Sequence, residues 1–227
     1  MLTSLTLSDV PGLLSDFFSF LEDDTLEKRV FAKIMATLRW VQNSSLGLSQ
    51  CVHQQKEAVD LAKKIGMHVC DQSPTQGFTW DGFRLSIRME PSVIIHDVAH
   101  FQVCTPDRRN LPDFGLGAGP ETGNRTQADT HAQLHGICCD IEESLASLLG
   151  ILWEVELGHP AILAFLEQNW LEGGCTIINC NHLRRTLLSL HLMGLIDDKG
   201  CPQPTLRTID DLTFWAERSQ FNTLQQQ

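Results

Sequence analysis

Apolar residues in the first part of the chain recur at intervals of three and four, with Phe17, Phe18 and Leu21 followed by Val30, Ile34, Leu38 and Val41. Such spacing gathers side chains on one face of a helix and predicts helices from Leu13 to about Lys64. Asp24 or Thr25 is placed to cap the second of them. Between Asp71 and Pro91 the period is broken by Pro74, Gly77, Gly82 and Pro91, so loop is expected there, with one short extended piece at Phe83 to Met89. A helix starts near Ser92, directly after the proline. Thr105 to Arg125 then carries Pro106, Pro112, Gly115, Gly117, Gly119, Pro120 and Gly123, a density that regular elements do not tolerate. A long Gly/Pro-rich loop is predicted, its alternating glycines reading as flexibility; no strand precedes them to make a dinucleotide fingerprint. Ala128 to Gly158 is rich in Leu, Ala, Ile and Glu and closes on Gly158 and Pro160, which predicts one long helix. Further helices are expected at about Pro160 to Leu171, Asn181 to Leu195 and Ile209 to Ser219. Strand signals are sparse and no internal repeat is visible. The expected fold is therefore all-α: a single helical domain over residues 1–227, with a motif core at about 92–160, a metal site between two helices beside the long loop, and a C-terminal helical extension at 161–219.

Composition narrows the partners. With 227 residues and 42% hydrophobic content the chain can bury a sizeable core. Its 28 acidic residues against 17 basic give a net charge of -11, which disfavours non-specific binding to nucleic acid or to an anionic membrane surface. A small molecule or a protein side chain is the expected substrate, and the oligomeric state is left open. No apolar run approaches the roughly 20 residues that span a bilayer, and the first residues lack the basic end and apolar stretch of a signal peptide, so the cytoplasm is the expected compartment. The eight cysteines are scattered, with no Cys-x-x-Cys pair, and are read mostly as buried, reduced thiols.

The chemistry centres on Ile-Ile-His-Asp-Val-Ala-His. His96 and His100 stand four apart, one helical turn, and can present both imidazoles to one ion. The same spacing also fits two packed or capping histidines. Asp140 and Glu143, three apart on the long helix, add carboxylates. Two histidines with one or two carboxylates suit iron or manganese, and zinc less distinctively. The candidate metal ligands are thus His96, His100, Asp140 and Glu143. Glu142 points roughly a hundred degrees away from its neighbour on an ideal helix and is expected behind the ligands or at the surface. Glu154 lies on nearly the same stripe three turns further on, and His131 and His135 precede Asp140 as additional nitrogen candidates. Asp97 is the candidate catalytic residue. In the zinc-protease pattern His-Glu-x-x-His this position is a general base, but the shorter Asp would sit an ångström or so out of place, which argues against a peptidase. Asp97 could instead bind metal directly, as the adjacent His-Asp pair does in phosphohydrolase domains.

The run from Ile95 to Phe101, followed by Arg108-Arg109-Asn110-Leu111-Pro112-Asp113-Phe114-Gly115, resembles the elongation factor P hydroxylase family. That family has an Ile-His-Glu-[Ile/Val]-[Ser/Ala]-His-aromatic motif, an Arg-Arg-x-Leu-x-Asp-Phe-Gly loop and a helix with two carboxylates three apart. Asp140 and Glu143 match that pair, and Gly158-His159-Pro160 falls where the family's helix ends in Gly-x-Pro; Asp97 and Asp140 each replace a Glu. The resemblance covers about residues 94 to 160. It implies an oxygen-dependent hydroxylase with one or two Fe(II) ions, O2 as co-substrate and an electron donor. His96, His100 and Glu143 would bind the metal, with Asp97 and Asp140 as further ligands for a second ion. A lysyl or other basic substrate would suit the acidic chain.

Arg108, Arg109 and Asp113 border the expected cleft, either to bind a substrate carboxylate or to form an ion pair that fixes the loop. Two other classes compete with the hydroxylase. A His-Asp phosphohydrolase would require an upstream histidine, for which His53 and His68 are candidates. A non-catalytic binding protein would use a structural metal or none. The Leu183-Arg184-Arg185-Thr186 helix and the turn after it are too poor in basic residues to read nucleic acid.

Overall fold

The computed structural model describes residues 10–42, 48–172 and 174–208. Over these the chain is mostly helical with one small sheet. Its elements are α1 (Val10–Phe20), α2 (Leu26–Ala36), α3 (Leu38–Gln42), α4 (Leu48–Ile65), β1 (His68–Cys70), β2 (Arg84–Ser86), α5 (Pro91–Val103), α6 (Arg125–Thr130), α7 (Ile137–Leu157), α8 (Ala161–Glu167) and α9 (Ile177–Leu192). The helix expected at Ile209 to Ser219 lies outside the described residues. Two compact units are distinguished, residues 1–57 with 147–203, and residues 58–146 with 204–227, the division falling within α4 and within α7. No helix among the described residues is long and apolar enough to cross a membrane.

The first unit is held by side chains that the helical period anticipates. Phe17 meets Phe31 edge-on at 4.8 Å, Phe31 meets Phe165 at 5.5 Å, and Phe165 stacks on Trp170 at 5.8 Å. Val30, Ile34, Leu183, Leu187 and Leu190 are buried in the same unit. Of the two cap candidates Thr25 is the one used, its side chain accepting from the Lys28 amide, while Asp24 takes a positive φ in the preceding turn. Buried Thr37 ties α2 to α8, donating to the Ile34 carbonyl at 2.7 Å and accepting from the Ile162 amide at 3.0 Å. Thr176 caps α9, which begins four residues earlier than the apolar pattern suggested.

In the second unit the expected extended piece pairs in parallel with β1, Val69 opposite Leu85, an element too short for sequence periodicity to show. The long loop is pinned to the neighbouring turn: the Gly123 amide donates to Pro74 O at 2.9 Å and the Asn124 amide to Gly77 O at 2.8 Å. A Cβ on Gly123 would meet Thr75 O at 2.1 Å, so glycine here serves a close backbone approach rather than flexibility.

The single helix expected from Ala128 to Gly158 is two, α6 and α7, separated at His131–Gly136. Gly136 has φ of 57°, and the Gln133 amide leaves the helical ladder to donate to Gly115 O at 2.7 Å. The break is made by a long-range hydrogen bond, which helix propensity does not report. α7 ends as its Gly-His-Pro sequence predicts, with Gly158 at φ of 74° and the His159 amide reaching back to Glu154 O.

Candidate metal centre

Helix α5 begins with Pro91 at its first turn and ends at Cys104, two residues before Pro106. It is buried nearly all round: Ile94, Ile95, Val98, Ala99 and Val103 are fully covered, and so is polar Gln102. Each polar group on it therefore needs a partner. Gln102 finds one in Thr205 O, at 2.7 Å. His96 and His100 turn towards each other, their Nε2 atoms 3.0 Å apart and their rings near perpendicular.

Glu143 closes the group from α7. Its Oε2 lies 3.3 Å from His100 Nε2 and 3.7 Å from His96 Nε2. His96, His100 and Glu143 each offer one ligand atom, all within 4.8 Å of one another, and they form the sole such group among the described residues. His100 is buried, whereas the Glu143 side chain is 48% exposed and that of His96 26%, so the group opens on one side to solvent. The donor set of two imidazole nitrogens and one carboxylate oxygen fits a first-row divalent ion. Both Nδ1 atoms are buried without a hydrogen-bond partner. Metal-binding histidines usually donate from that nitrogen; here the His100 ring is instead packed against Phe114.

The packing on His100 comes from Phe114, stacked at 5.6 Å, and Phe114 in turn lies against Trp80 at 5.8 Å. Phe114 reaches this position through a left-handed turn in which Asp113 and Phe114 have φ of 42° and 57°. For residues with side chains such backbone costs about 1–2 kcal/mol each and persists only where its surroundings enforce it. Asp113 supplies the enforcement. Its carboxylate accepts from Thr79 Oγ1 at 3.0 Å, from Thr122 Oγ1 at 2.6 Å and from the Trp80 amide at 3.4 Å.

Charges within the group are strongly coupled. Burial pulls the His96 pKa down, and the neighbouring His100 adds to this against the attraction of Glu143. Burial also opposes charge on His100, but the charge and hydrogen bond of Glu143, with Asp97 nearby, carry its pKa upward. Partial burial would raise the Glu143 carboxyl, yet the two imidazoles outweigh it and hold the carboxyl below its ordinary range. Asp97 is buried, with Oδ2 unpartnered. Burial pushes its pKa up to about 7, opposed by His100 and assisted by Asp113.

Of the residues singled out from sequence, His96, His100 and Glu143 converge. Asp140 is exposed and stands outside the convergent group. His131 and His135 sit in the break between α6 and α7, where His131 Nδ1 pairs with its own helix at Gln127 O. Glu154 belongs to the other unit. His53 pairs with Glu57 at 3.2 Å and His68 packs on Phe83 at 4.9 Å, so neither joins the group. Arg109 donates to the carbonyls of Phe101, Cys104 and Arg207. Arg108 forms a bidentate ion pair with Glu142, both side chains fully buried. Arg207, which belongs to no motif visible in the sequence, lies 3.9 Å from the same carboxylate. The described cysteines are all free, and burial pushes the Cys104 thiol up to about 12, making it inert.

Comparison of the chain with protein-family models, with curated proteins and with solved structures gives no match.

Proposed function

We propose that this protein is a non-haem iron, oxygen-dependent hydroxylase whose ion is held by His96, His100 and Glu143. The observation that carries the proposal is the convergence of those three side chains, two nitrogens and one oxygen, with one side open to solvent. Two histidines and one carboxylate with vacant positions are the donor set of oxygen-activating iron(II) sites. The motif order shared with the elongation factor P hydroxylase family supports the same chemistry. The convergent group supports one ion rather than two, because exposed Asp140 stands outside it.

Iron(II) bound there would supply activation of O2 for hydroxylation of a substrate C–H bond, with an external donor providing the two electrons, and solvent the two protons, that would turn the second oxygen atom into water. The protein's own part is to hold and orient. His96 and His100 are fixed by α5, and the Phe114 ring holds the His100 imidazole in plane. Buried Asp97, beside His96, keeps a carboxyl that is partly protonated near neutrality and can exchange a proton at Oδ2. The acidic chain suits a basic substrate such as a lysyl side chain or a small amine. Free thiols suit the reducing environment of the cytoplasm.

The test is metal analysis of protein purified without chelator, followed by anaerobic iron(II) loading and exposure to oxygen under absorption spectroscopy. About one iron per chain and an oxygen-dependent spectral change are expected. Zinc alone, or no metal and no response to iron and oxygen, overturns the proposal.

A further inference from the structure

Behind the exposed ligand Glu143 lies a buried triad of charged side chains. Glu142, Arg108 and Arg207 are all essentially inaccessible to solvent. Arg108 addresses Glu142 through both terminal nitrogens, Nη1 to Oε1 at 2.9 Å and Nη2 to Oε2, and Arg207 Nη1 stands 3.9 Å from Oε2. Each arginine also grips the segment that bears or follows the histidines. Arg108 Nε donates to Thr105 Oγ1 at 3.2 Å and its Nη1 to Phe114 O at 3.0 Å. Arg207 Nη1 donates to Val103 O, in the last turn of α5, at 3.1 Å. One network therefore joins the residue next to Glu143, the end of the histidine helix, and the backbone of the phenylalanine stacked on His100.

We infer that the Arg108–Glu142–Arg207 triad is a positioning element for the metal ligands, setting the rotation of α7 relative to α5 so that Glu143 meets His96 and His100. The inference rests on the metal-centre reading. Successive residues on a helix point about 100° apart, so anchoring Glu142 inwards aims Glu143 at the rim. A bidentate guanidinium–carboxylate pair fixes direction as well as distance, which a packed apolar pair does not. Stability alone does not explain the triad. Buried ion networks replaced by apolar residues of similar volume often leave a protein as stable or more so, because the desolvation of the charges is then avoided. Their distinctive contribution is orientation, and groups that orient metal ligands from behind typically change metal affinity by about 10- to 100-fold.

The experiment compares the full chain with a triple variant, Arg108→Met, Glu142→Leu and Arg207→Met, measuring thermal unfolding without metal and iron(II) and manganese(II) binding by anaerobic titration. The triad as a positioning element predicts an unfolding temperature equal to or above that of the parent, with metal affinity lowered about 10- to 100-fold. Unchanged affinity in the folded variant overturns the inference and leaves the metal centre standing. Failure of the parent itself to bind either metal overturns both. Should the triple variant not fold, Arg108→Lys carries the test, since it keeps the charge and removes the fork. Weakened metal binding by folded Arg108→Lys supports positioning, and parental affinity overturns it.

Discussion

Glu142 and Glu143 are neighbours in sequence and opposites in environment: Glu142 is wholly buried against Arg108, and Glu143 is half-exposed with Oε2 3.3 Å from His100 Nε2. A single turn of α7 thus supplies both an internal anchor and the carboxylate that completes the cluster. The two residues have separable roles. Removing Glu142 strands two buried arginines, whereas removing Glu143 takes away a rim group whose interactions are mainly with the histidines.

Glu143→Ala should accordingly leave the chain folded at a cost of about 1–3 kcal/mol, for the acceptor that the two histidines lose, while reducing metal affinity by more than the roughly 10- to 100-fold that a change behind the ligands costs. His100→Ala should lose the metal as well, but with a larger effect on stability because its ring is packed beneath Phe114. Metal content after dialysis against iron(II), set beside urea unfolding, separates the two. Retention of iron by Glu143→Ala would shift attention to a centre built on His96 and Asp97, as in phosphohydrolases.

Asp113→Ala should destabilise the protein by about 1–3 kcal/mol, since Thr79, Thr122 and the Trp80 amide each lose an acceptor. The same change loosens the left-handed turn that carries Phe114, so metal affinity should fall together with stability. Urea unfolding checks the first effect and iron titration the second. Loss of stability with unaltered affinity would show that the Phe114 stack does not orient His100.

The histidine pair was legible because a four-residue spacing determines a shared helical face without reference to anything distant. The helix carrying Glu143, its Gly158 terminus and the Thr25 cap are local in the same sense. Asp140 and Glu143 were both expected as ligands, and that Asp140 would stay outside the group was not legible, since residues three apart share a face and the rotation of α7 decides which of them reaches the histidines. That rotation is associated with the Arg108–Glu142 contact, 34 positions apart in the chain. The break at His131–Gly136 also arises at a distance, through the Gln133 bond to Gly115. The left-handed Asp113 and Phe114 were hidden for a different reason: neither is glycine, and their backbone is imposed by hydrogen bonds to Thr79, Thr122 and Trp80. What escaped sequence reasoning is the tertiary scaffolding around His96, His100 and Glu143, because it is set by contacts between residues distant in the chain.

Glu154 gives a prediction independent of the metal. It is buried near the C-terminal end of α7, where the helix dipole disfavours a negative charge, and burial, aided by the nearby charge of Glu167, pushes its pKa from 4.5 up to about 8. The native state therefore holds a proton that the unfolded chain releases above about pH 4.5. In that window the native state binds more protons than the unfolded one, so stability falls as pH rises, and the loss is complete once the native carboxyl also ionises near pH 8. A shift of this size corresponds to at most about 5 kcal/mol. Glu154→Gln removes the titration while keeping the shape. Urea unfolding across pH 5 to 9 should find the two proteins of similar stability at the acidic end and the glutamine variant progressively more stable towards pH 8. Parallel curves would mean that the Glu154 carboxylate is already ionised and satisfied in the native protein at neutral pH.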